Sequence, residues 1–310
     1  MLKKFLFNDG AVTTFFDYVG TSRYLARIYY VNGINTSSDE HAKTCRTISR
    51  LTQHPVTGVY VASWGHAGAD VLLDCIRDWA IAFSAKFKEY KENKVAGFIT
   101  DIKSQLDSVM DFFRKNPKDQ PKLASKSDRQ DSERAIAEIF RIVPPTLRPR
   151  FIDFLLSMPG IGDEATRSLF NQLRSNSHDR QFVIAHSRGN LVTCNALWCM
   201  VIAYGNASLH NIRVYSLASP TPGWPYAIRK ESGGGGRRVY GYQDDLVTRL
   251  DPHNFPFMNN ILGGVHGRTI GDWQRMNNRD SLQPHAISGH IDKTSFIKDI
   301  RRDLGLPENP

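Results

Sequence analysis

Short apolar runs, each bounded by turn-forming residues, recur along the chain and are its clearest pattern. They are rich in β-branched and aromatic residues and too short for helices, so we predict that they form strands. Because their hydrophobicity is nearly continuous rather than alternating, both faces of these strands should be buried. The predicted strands are Arg27–Val31, Gly58–Ser63, Gln181–His186, Ile212–Leu217 and Arg238–Tyr242.

Stretches with apolar residues at helical spacing separate these runs. A first helix should begin at the polar residues Ser37, Ser38 and Asp39, which are suited to an N-cap, and run to about Leu51. Further helices are predicted for residues 68–93 and 188–203. Strands that alternate with helices indicate the α/β class, with a mostly parallel central sheet covered by helices on both faces.

The alternation breaks between residues 82 and 175, where helical patterns follow one another without a strand. The strongest is amphipathic and covers residues 98–113, and others cover 135–143, 150–158 and 164–174. We therefore predict one domain over residues 1–310, with residues 82–175 as a helical insertion. The insertion either packs its apolar stripe on the sheet or forms a lid whose apolar inner face contacts a lipid-like substrate.

The net charge of the chain limits the classes of partner that its surface would attract. Lysine and arginine outnumber the acidic residues by 40 to 31, which gives a net charge of +9. A basic surface attracts phosphate, either in nucleic acid or in anionic lipid. No helix-turn-helix, zinc-finger or RRM-type pattern accompanies the charge, so we expect no nucleic-acid partner and consider an anionic membrane surface instead.

Integral membrane proteins and disulfide scaffolds fit this sequence poorly. No apolar run approaches the ~20 residues that cross a bilayer, and the apolar start of the chain is too short for a secretory signal. Its four cysteines, Cys45, Cys75, Cys194 and Cys199, form no C-x-x-C pair, so we expect reduced thiols and no structural zinc site. The expected location is the cytoplasm, or outside the cell after export without a cleavable signal peptide.

The segment with the most specific chemistry is Phe182–Leu191, in which a predicted buried strand, a turn at Ser187 and a predicted helix follow one another. The small residues Ala185 and Gly189 flank Ser187 at two positions on either side. This pattern resembles the G-x-S-x-G nucleophile turn of the serine α/β-hydrolases, lipases and esterases above all, with Ala185 in place of the first glycine. The resemblance implies a nucleophilic Ser187, exposed at the carboxyl end of the sheet, and an oxyanion donor in the N–H of Arg188.

A second motif ends the strand at residues 27–31. Asn32-Gly33-Ile34 stands where the family has a His-Gly-x turn, and Asn32 replaces the common histidine. By the resemblance, the N–H of Ile34 would be the other oxyanion donor. A plain Asn-Gly turn without a catalytic role is the alternative.

The resemblance also implies an acid and a base, in the chain order Ser, Asp or Glu, His. Asp245 best fits the acid that follows a strand, and its neighbour Asp244 is the alternative. His285, in a late loop before a predicted helix that contains Phe296 and Ile297, is the first choice for the base. The other candidates for the base are His290, His266 and His253.

These residues predict a serine hydrolase that cleaves carboxylic esters through an acyl-serine intermediate. The five-residue spacing of His285 and His290 does not suit a zinc-binding helix, and the mechanism requires no cofactor or metal. The apolar insertion and the basic surface favour an ester of lipid or phospholipid type. Alternatives are a thioesterase, an esterase for small soluble esters, and a catalytically dead hydrolase fold that serves as a binding module. The sequence leaves the oligomeric state open.

Overall fold

The fold is described from a computed structural model of the chain. It describes residues 6–18, 26–34, 36–62, 78–79, 81–83, 85–86, 88–89, 102–120, 137, 140–141, 143–158, 163–220, 224–229, 235–242, 273–274, 287–288, 291 and 295–309. The chain divides into two compact units. The first comprises Met1–His66, Asp163–Val201 and Asn206–Pro310, and the second comprises Ala67–Gly162 and Ile202–Gly205.

Seven strands form one sheet within the described residues, and their spatial order is β1-β3-β2-β4-β5-β6-β7. The strands are β1 (Val12–Phe15), β2 (Arg27–Val31), β3 (Val56–Val59), β4 (Gln181–His186), β5 (Ile212–Leu217), β6 (Gly236–Tyr242) and β7 (Trp273–Gln274). The edge strand β1 pairs antiparallel with β3, and the other pairings are parallel. The predicted α/β class and the mostly parallel sheet are therefore confirmed.

Seven α-helices lie in the described residues. In chain order they are α1 (Ser38–Thr52), α2 (Ile102–Lys115), α3 (Arg148–Ser157), α4 (Glu164–Ser175), α5 (Gly189–Tyr204), α6 (Tyr226–Arg229) and α7 (Phe296–Asp303). Two of them, α2 and α3, belong to the second unit. The predicted N-cap of α1 is a capping box, in which the Ser37 hydroxyl accepts from the Glu40 N–H and the Glu40 carboxylate accepts from the Ser37 N–H.

The strand order reverses direction between β2 and β4. The chain leaves β2 through α1 toward β3 on one side, and leaves β4 through α5 toward β5 on the other. Right-handed crossovers in opposite directions place their helices on opposite faces of the sheet. Tyr215 accordingly clusters with Cys45 of α1, whereas the next residue, Ser216, bonds Asn190 of α5. Such a reversal opens a crevice at the carboxyl ends of the two central strands.

The strand predictions hold best in the middle of the sheet. β2, β4 and β5 begin and end where predicted, and β6 begins two residues earlier. β3 ends at Val59, whereas the sequence analysis placed this strand at Gly58–Ser63. It did not predict β1 or β7, because β1 is a four-residue edge strand with partly exposed polar residues and β7 has only two residues.

The first unit also contains a buried charged cluster, formed where α7 crosses β5 and β6. Asp303 pairs with Arg213 at 2.6 Å and with Arg238 at 3.0 Å, and it accepts a hydrogen bond from the Tyr215 hydroxyl. Asp299 accepts from the Tyr240 hydroxyl at 2.6 Å. These contacts fix the last described helix to the sheet.

The second unit has an aromatic core of its own. Trp79 packs edge-on against Phe113 of α2 and Phe154 of α3, with ring centroids 5.0 and 5.5 Å apart. The described apolar side chains of α2 that belong to the predicted amphipathic stripe are buried: Leu106, Val109, Met110 and Phe113. Helix α4, which the sequence analysis included in the insertion, belongs to the first unit.

Two further expectations concern cysteines and membrane spans. Cys45, Cys194 and Cys199 are buried, and Cys75 lies outside the described residues. None of the helices in the described part of the chain combines the length and the apolar character that a membrane span requires.

Candidate functional site

Ser187 has an unusual backbone conformation at the carboxyl end of β4. Its φ is +53°, in the left-handed region that a residue with a side chain rarely adopts. Its N–H donates to the Leu217 carbonyl at 2.9 Å, and its carbonyl accepts from the Asn190 N–H at 2.9 Å. Strand β4 ends at His186 and α5 begins at Gly189, so the chain turns sharply at Ser187. This is the strand-to-helix geometry that a nucleophile turn requires.

Two glycines allow the turn at Ser187 to meet the end of β2. A Cβ atom on Gly189 would lie 2.3 Å from the Val31 carbonyl oxygen and 2.8 Å from that of Asn32. A Cβ atom on Gly33 would lie 2.7 Å from the Cβ of Ser187. The Asn32-Gly33-Ile34 turn and the Ser187 turn therefore pack directly against each other at the crevice between β2 and β4.

The buried amide of Asn32 holds the first of these turns. Its Nδ2 donates to the carbonyl oxygens of Gly33 and Val61, both at 2.9 Å, and its Oδ1 accepts from the Val61 N–H at 2.8 Å. The side chain thereby ties the turn after β2 to the chain that follows β3. A fully buried polar side chain needs such partners, and here the backbone supplies them.

A second buried amide, that of Asn190, holds the Ser187 turn. Its Nδ2 donates to the Ser187 carbonyl at 3.0 Å and to the Leu217 carbonyl at 2.9 Å. Its Oδ1 accepts from the Ser216 hydroxyl at 2.6 Å. One side chain therefore connects the turn after β4 to the end of β5.

The side chain of Arg188 contacts an acidic residue and the chain that follows β3. Its guanidinium donates to the Ala62 carbonyl at 3.3 Å and lies 3.6 Å from the Asp163 carboxylate, which also caps α4. Asp9 accepts from the Ala62 N–H at 2.8 Å. Burial, and then the negative charge of Asp163, raise the pKa of Asp9 above its ordinary value.

The structure differs from the expectation of an exposed hydroxyl at Ser187. The residue does lie at the carboxyl end of the sheet, but only 3% of its surface is accessible. The Gly33 turn packs against it, which the sequence could not show because the two segments are far apart in the chain. Ile34, in the same turn, has 47% of its surface accessible.

The predicted acid and base lie outside the described residues. This holds for Asp245 and its alternative Asp244, and for His285 with its alternatives His290, His266 and His253. The structure does describe β6, which ends three residues before Asp245, and α7, which begins eleven residues after His285. Ser187, Arg188 and Ile34 are thus the predicted site residues that the structure brings together, and the catalytic triad stays a prediction.

Several residues of this site carry no clear signal in the sequence. Asn190, Ser216 and Asp163 matter because of partners on other elements, and Ser216 lies 26 residues from Asn190. The position of Asn190, directly after the small-x-Ser-x-Gly pattern, is the one local hint. No set of three or more metal-ligating side chains comes together within the described ranges.

Comparisons with known proteins give no relative from which to transfer a function: protein-family models, curated proteins and solved structures each contain no match to this chain.

Proposed function

We propose that this protein is a serine hydrolase of the α/β-hydrolase type, which cleaves carboxylic esters of lipid or phospholipid type. The observation that carries the proposal is the left-handed conformation of Ser187, at a strand-to-helix turn beside the reversal in strand order. Strained backbone at a non-glycine residue costs of order 1–3 kcal/mol and is concentrated at functional sites. Ligands of open α/β sheets bind at the crevice where the strand order reverses.

In the proposed mechanism, the Ser187 hydroxyl attacks the ester carbonyl while His285 takes its proton. Asp245 orients the imidazole and stabilises its charged form. The backbone N–H groups of Ile34 and Arg188 donate to the oxyanion, each contributing about 2.7–4 kcal/mol. The alcohol leaves with the proton from His285, and water then hydrolyses the acyl-serine by the same steps.

Two observations support a lipid rather than a small soluble ester. The net charge of +9 favours approach to an anionic lipid surface. Ile34, whose turn packs against Ser187, exposes an apolar side chain. The charge is compatible with an anionic lipid surface, and the exposed Ile34 is compatible with an acyl chain that leaves the site over apolar surface.

The decisive experiment is labelling with a fluorophosphonate probe, followed by mass-spectrometric mapping of the adduct. We expect an adduct on Ser187 that is lost in Ser187→Ala. Ser49→Ala is the matched control, because Ser49 is a fully buried serine on α1 whose hydroxyl donates to the His54 carbonyl, ahead of β3. An adduct that persists in Ser187→Ala, or no adduct on a folded wild-type protein, would reject the proposal in favour of a binding module.

The substrate class requires a separate comparison. Rates should be measured on p-nitrophenyl esters of increasing acyl length, on acyl-CoA thioesters, and on vesicles of anionic phospholipid. A rate that rises with acyl length and with vesicles supports the lipid ester. Faster cleavage of short esters or of thioesters would assign the enzyme to one of those substrates instead.

A further inference from the structure

The peptide group between Ser187 and Arg188 lies at the centre of the proposed site. Its carbonyl belongs to Ser187, and its N–H belongs to Arg188, which is the proposed oxyanion donor. The peptide bonds of the described chain are trans, so this C=O and this N–H point in opposite directions. Whatever holds the Ser187 carbonyl therefore also determines the direction of the Arg188 N–H.

The Asn190 amide holds that carbonyl from inside the protein. Its Nδ2 donates to the Ser187 oxygen at 3.0 Å, in addition to the bond from the Asn190 backbone N–H at 2.9 Å. Asn190 has no accessible surface, so water does not compete for these bonds. The peptide cannot rotate without breaking both of them.

Ser216 determines which way the amide faces. An asparagine amide can present either its oxygen or its nitrogen to a given neighbour. The Ser216 hydroxyl donates to Oδ1 at 2.6 Å, which directs Nδ2 toward the carbonyls of Ser187 and Leu217. Ser216 is also fully buried and points from β5 toward α5.

The neighbouring strand is strained at the same level of the sheet. His186 pairs with Leu217, so Ser187 and Ala218 are the next residues along the two strands. Ala218 also has a left-handed φ, of +47°. The peptide between Leu217 and Ala218 accepts from the Ser187 N–H and from Asn190 Nδ2, and its own N–H donates to the Tyr240 carbonyl at 3.0 Å. Asn190 thus connects two strained strand ends.

We propose that Asn190 and Ser216 are positioning residues, which keep Ser187 in its left-handed conformation and aim the Arg188 N–H at the oxyanion. This inference rests on the proposed serine hydrolase function. Neither residue touches the reacting atoms; each acts through the Ser187–Arg188 peptide. A loss of their bonds should therefore weaken transition-state stabilisation more than substrate binding.

The test compares three variants with the wild type. Asn190→Leu keeps the approximate size of the side chain but removes its hydrogen bonds, and Ser216→Ala removes only the bond that orients the amide. Thr193→Val is the matched control, because Thr193 is a fully buried residue of α5 that donates to the Gly189 carbonyl at 2.7 Å. Its hydroxyl bonds a different peptide from that between Ser187 and Arg188, so its loss should leave the Ser187–Arg188 peptide in place.

The measurements are the rate constant of Ser187 labelling by a fluorophosphonate, and kcat and KM on a p-nitrophenyl ester. Asn190→Leu should lower the labelling rate and kcat by about tenfold or more with little change in KM, and Ser216→Ala by about threefold. Thr193→Val should stay within about twofold of the wild type. The pH at half-maximal labelling should not move, because the base is untouched. Thermal unfolding of each variant separates these effects from loss of the fold.

Each result decides the question. Wild-type labelling rates in Ser216→Ala or in a folded Asn190→Leu would overturn the inference, as would an equal loss in Thr193→Val. If Asn190→Leu does not fold, Ser216→Ala decides alone. If the wild type itself shows no adduct on Ser187, the proposed function fails, which is a different outcome from a labelled wild type with insensitive variants.

Discussion

Two regions of the first unit are held together by different chemistry. At the carboxyl ends of β2 and β4, the neutral amides of Asn32 and Asn190 bond backbone carbonyls and N–H groups. Near the beginnings of β5 and β6, Arg213 and Arg238 meet the carboxylate of Asp303 from α7. Both regions are buried, but the two amides of the first are neutral, whereas the second is held by paired charges.

The two kinds of contact fix different parts of the unit: the charges fix helix α7, and the neutral amides fix the turns after β2 and β4. A buried ion pair fixes a helix firmly only while both charges are present, since one partner alone leaves an uncompensated charge in the interior. Burial lowers the pKa of Arg213, but the hydrogen bond and the charge of Asp303 outweigh burial and raise it. Neutral amides fix the two turns without adding a charge beside Ser187. The hydrogen bonds that hold the Ser187 turn therefore do not depend on any group keeping its charge.

The largest effect should come from breaking the charged region. Asp303→Asn removes the negative charge that Arg213 and Arg238 share, so the free energy of unfolding should fall by about 3–5 kcal/mol. Urea unfolding measures it. Glu308→Gln is the matched control, because its pair with Arg302 is half exposed on both sides and should contribute less than about 1 kcal/mol. Equal small losses in the two variants would contradict the importance of burial.

The second prediction concerns a buried histidine, His41 of α1, which lies outside the charged cluster and should make the stability of the protein depend on pH. His41 stacks on Tyr30 with ring centroids 5.3 Å apart and lies 3.7 Å from the Cys45 sulfur, and burial lowers its pKa from 6.5 to about 4. The unfolded chain therefore binds a proton near pH 6.5 that the folded protein binds only near pH 4. Stability should be full above pH 6.5 and fall by about 3 kcal/mol as the pH drops to 4.

The measurement is urea unfolding between pH 7 and pH 4, in the wild type and in His41→Leu. The variant should lose most of the pH dependence, whatever its stability at pH 7. His178→Gln changes an exposed histidine and should keep the dependence. An unchanged slope in His41→Leu would show that other groups cause the loss at acid pH.

The neutral region gives a smaller loss. Asn32→Leu leaves the Val61 N–H and two buried carbonyls without their partner, so unfolding should become easier by about 2–3 kcal/mol. Because no charged group is involved, this loss should be the same at low and high salt. Thr52→Val is the control, because it removes one buried bond, to the Ile48 carbonyl at 2.8 Å, and should cost about 1 kcal/mol. A salt-dependent loss in Asn32→Leu would contradict the view that neutral hydrogen bonds hold this region.

The smallest predicted effect tests the backbone strain at Ser187. Glycine adopts a φ of +53° without a steric penalty, whereas alanine does not. Ser187→Gly should therefore be more stable than Ser187→Ala by about 1 kcal/mol, although both lack the hydroxyl. Thermal or urea unfolding of the two variants measures this difference. A more stable alanine variant would mean that the left-handed conformation is not adopted in solution.

The sequence alone determined the features that depend on neighbours along the chain. The central strands could be predicted because burial on both faces leaves an uninterrupted apolar run. The start of α1 could be predicted because its capping box lies within four residues. The turn at Ser187 could be predicted because small residues must flank a serine in so sharp a turn.

Only the tertiary structure decided which of these segments meet. The Asn32 and Ser187 turns come together because the strand order reverses between β2 and β4, and the two glycines then allow van der Waals contact. The partnership of Asn190 with Ser216, and of Asp303 with its arginines, joins residues distant in sequence. Such pairs leave no periodic pattern in the sequence, because their members come close to each other only after the sheet has formed.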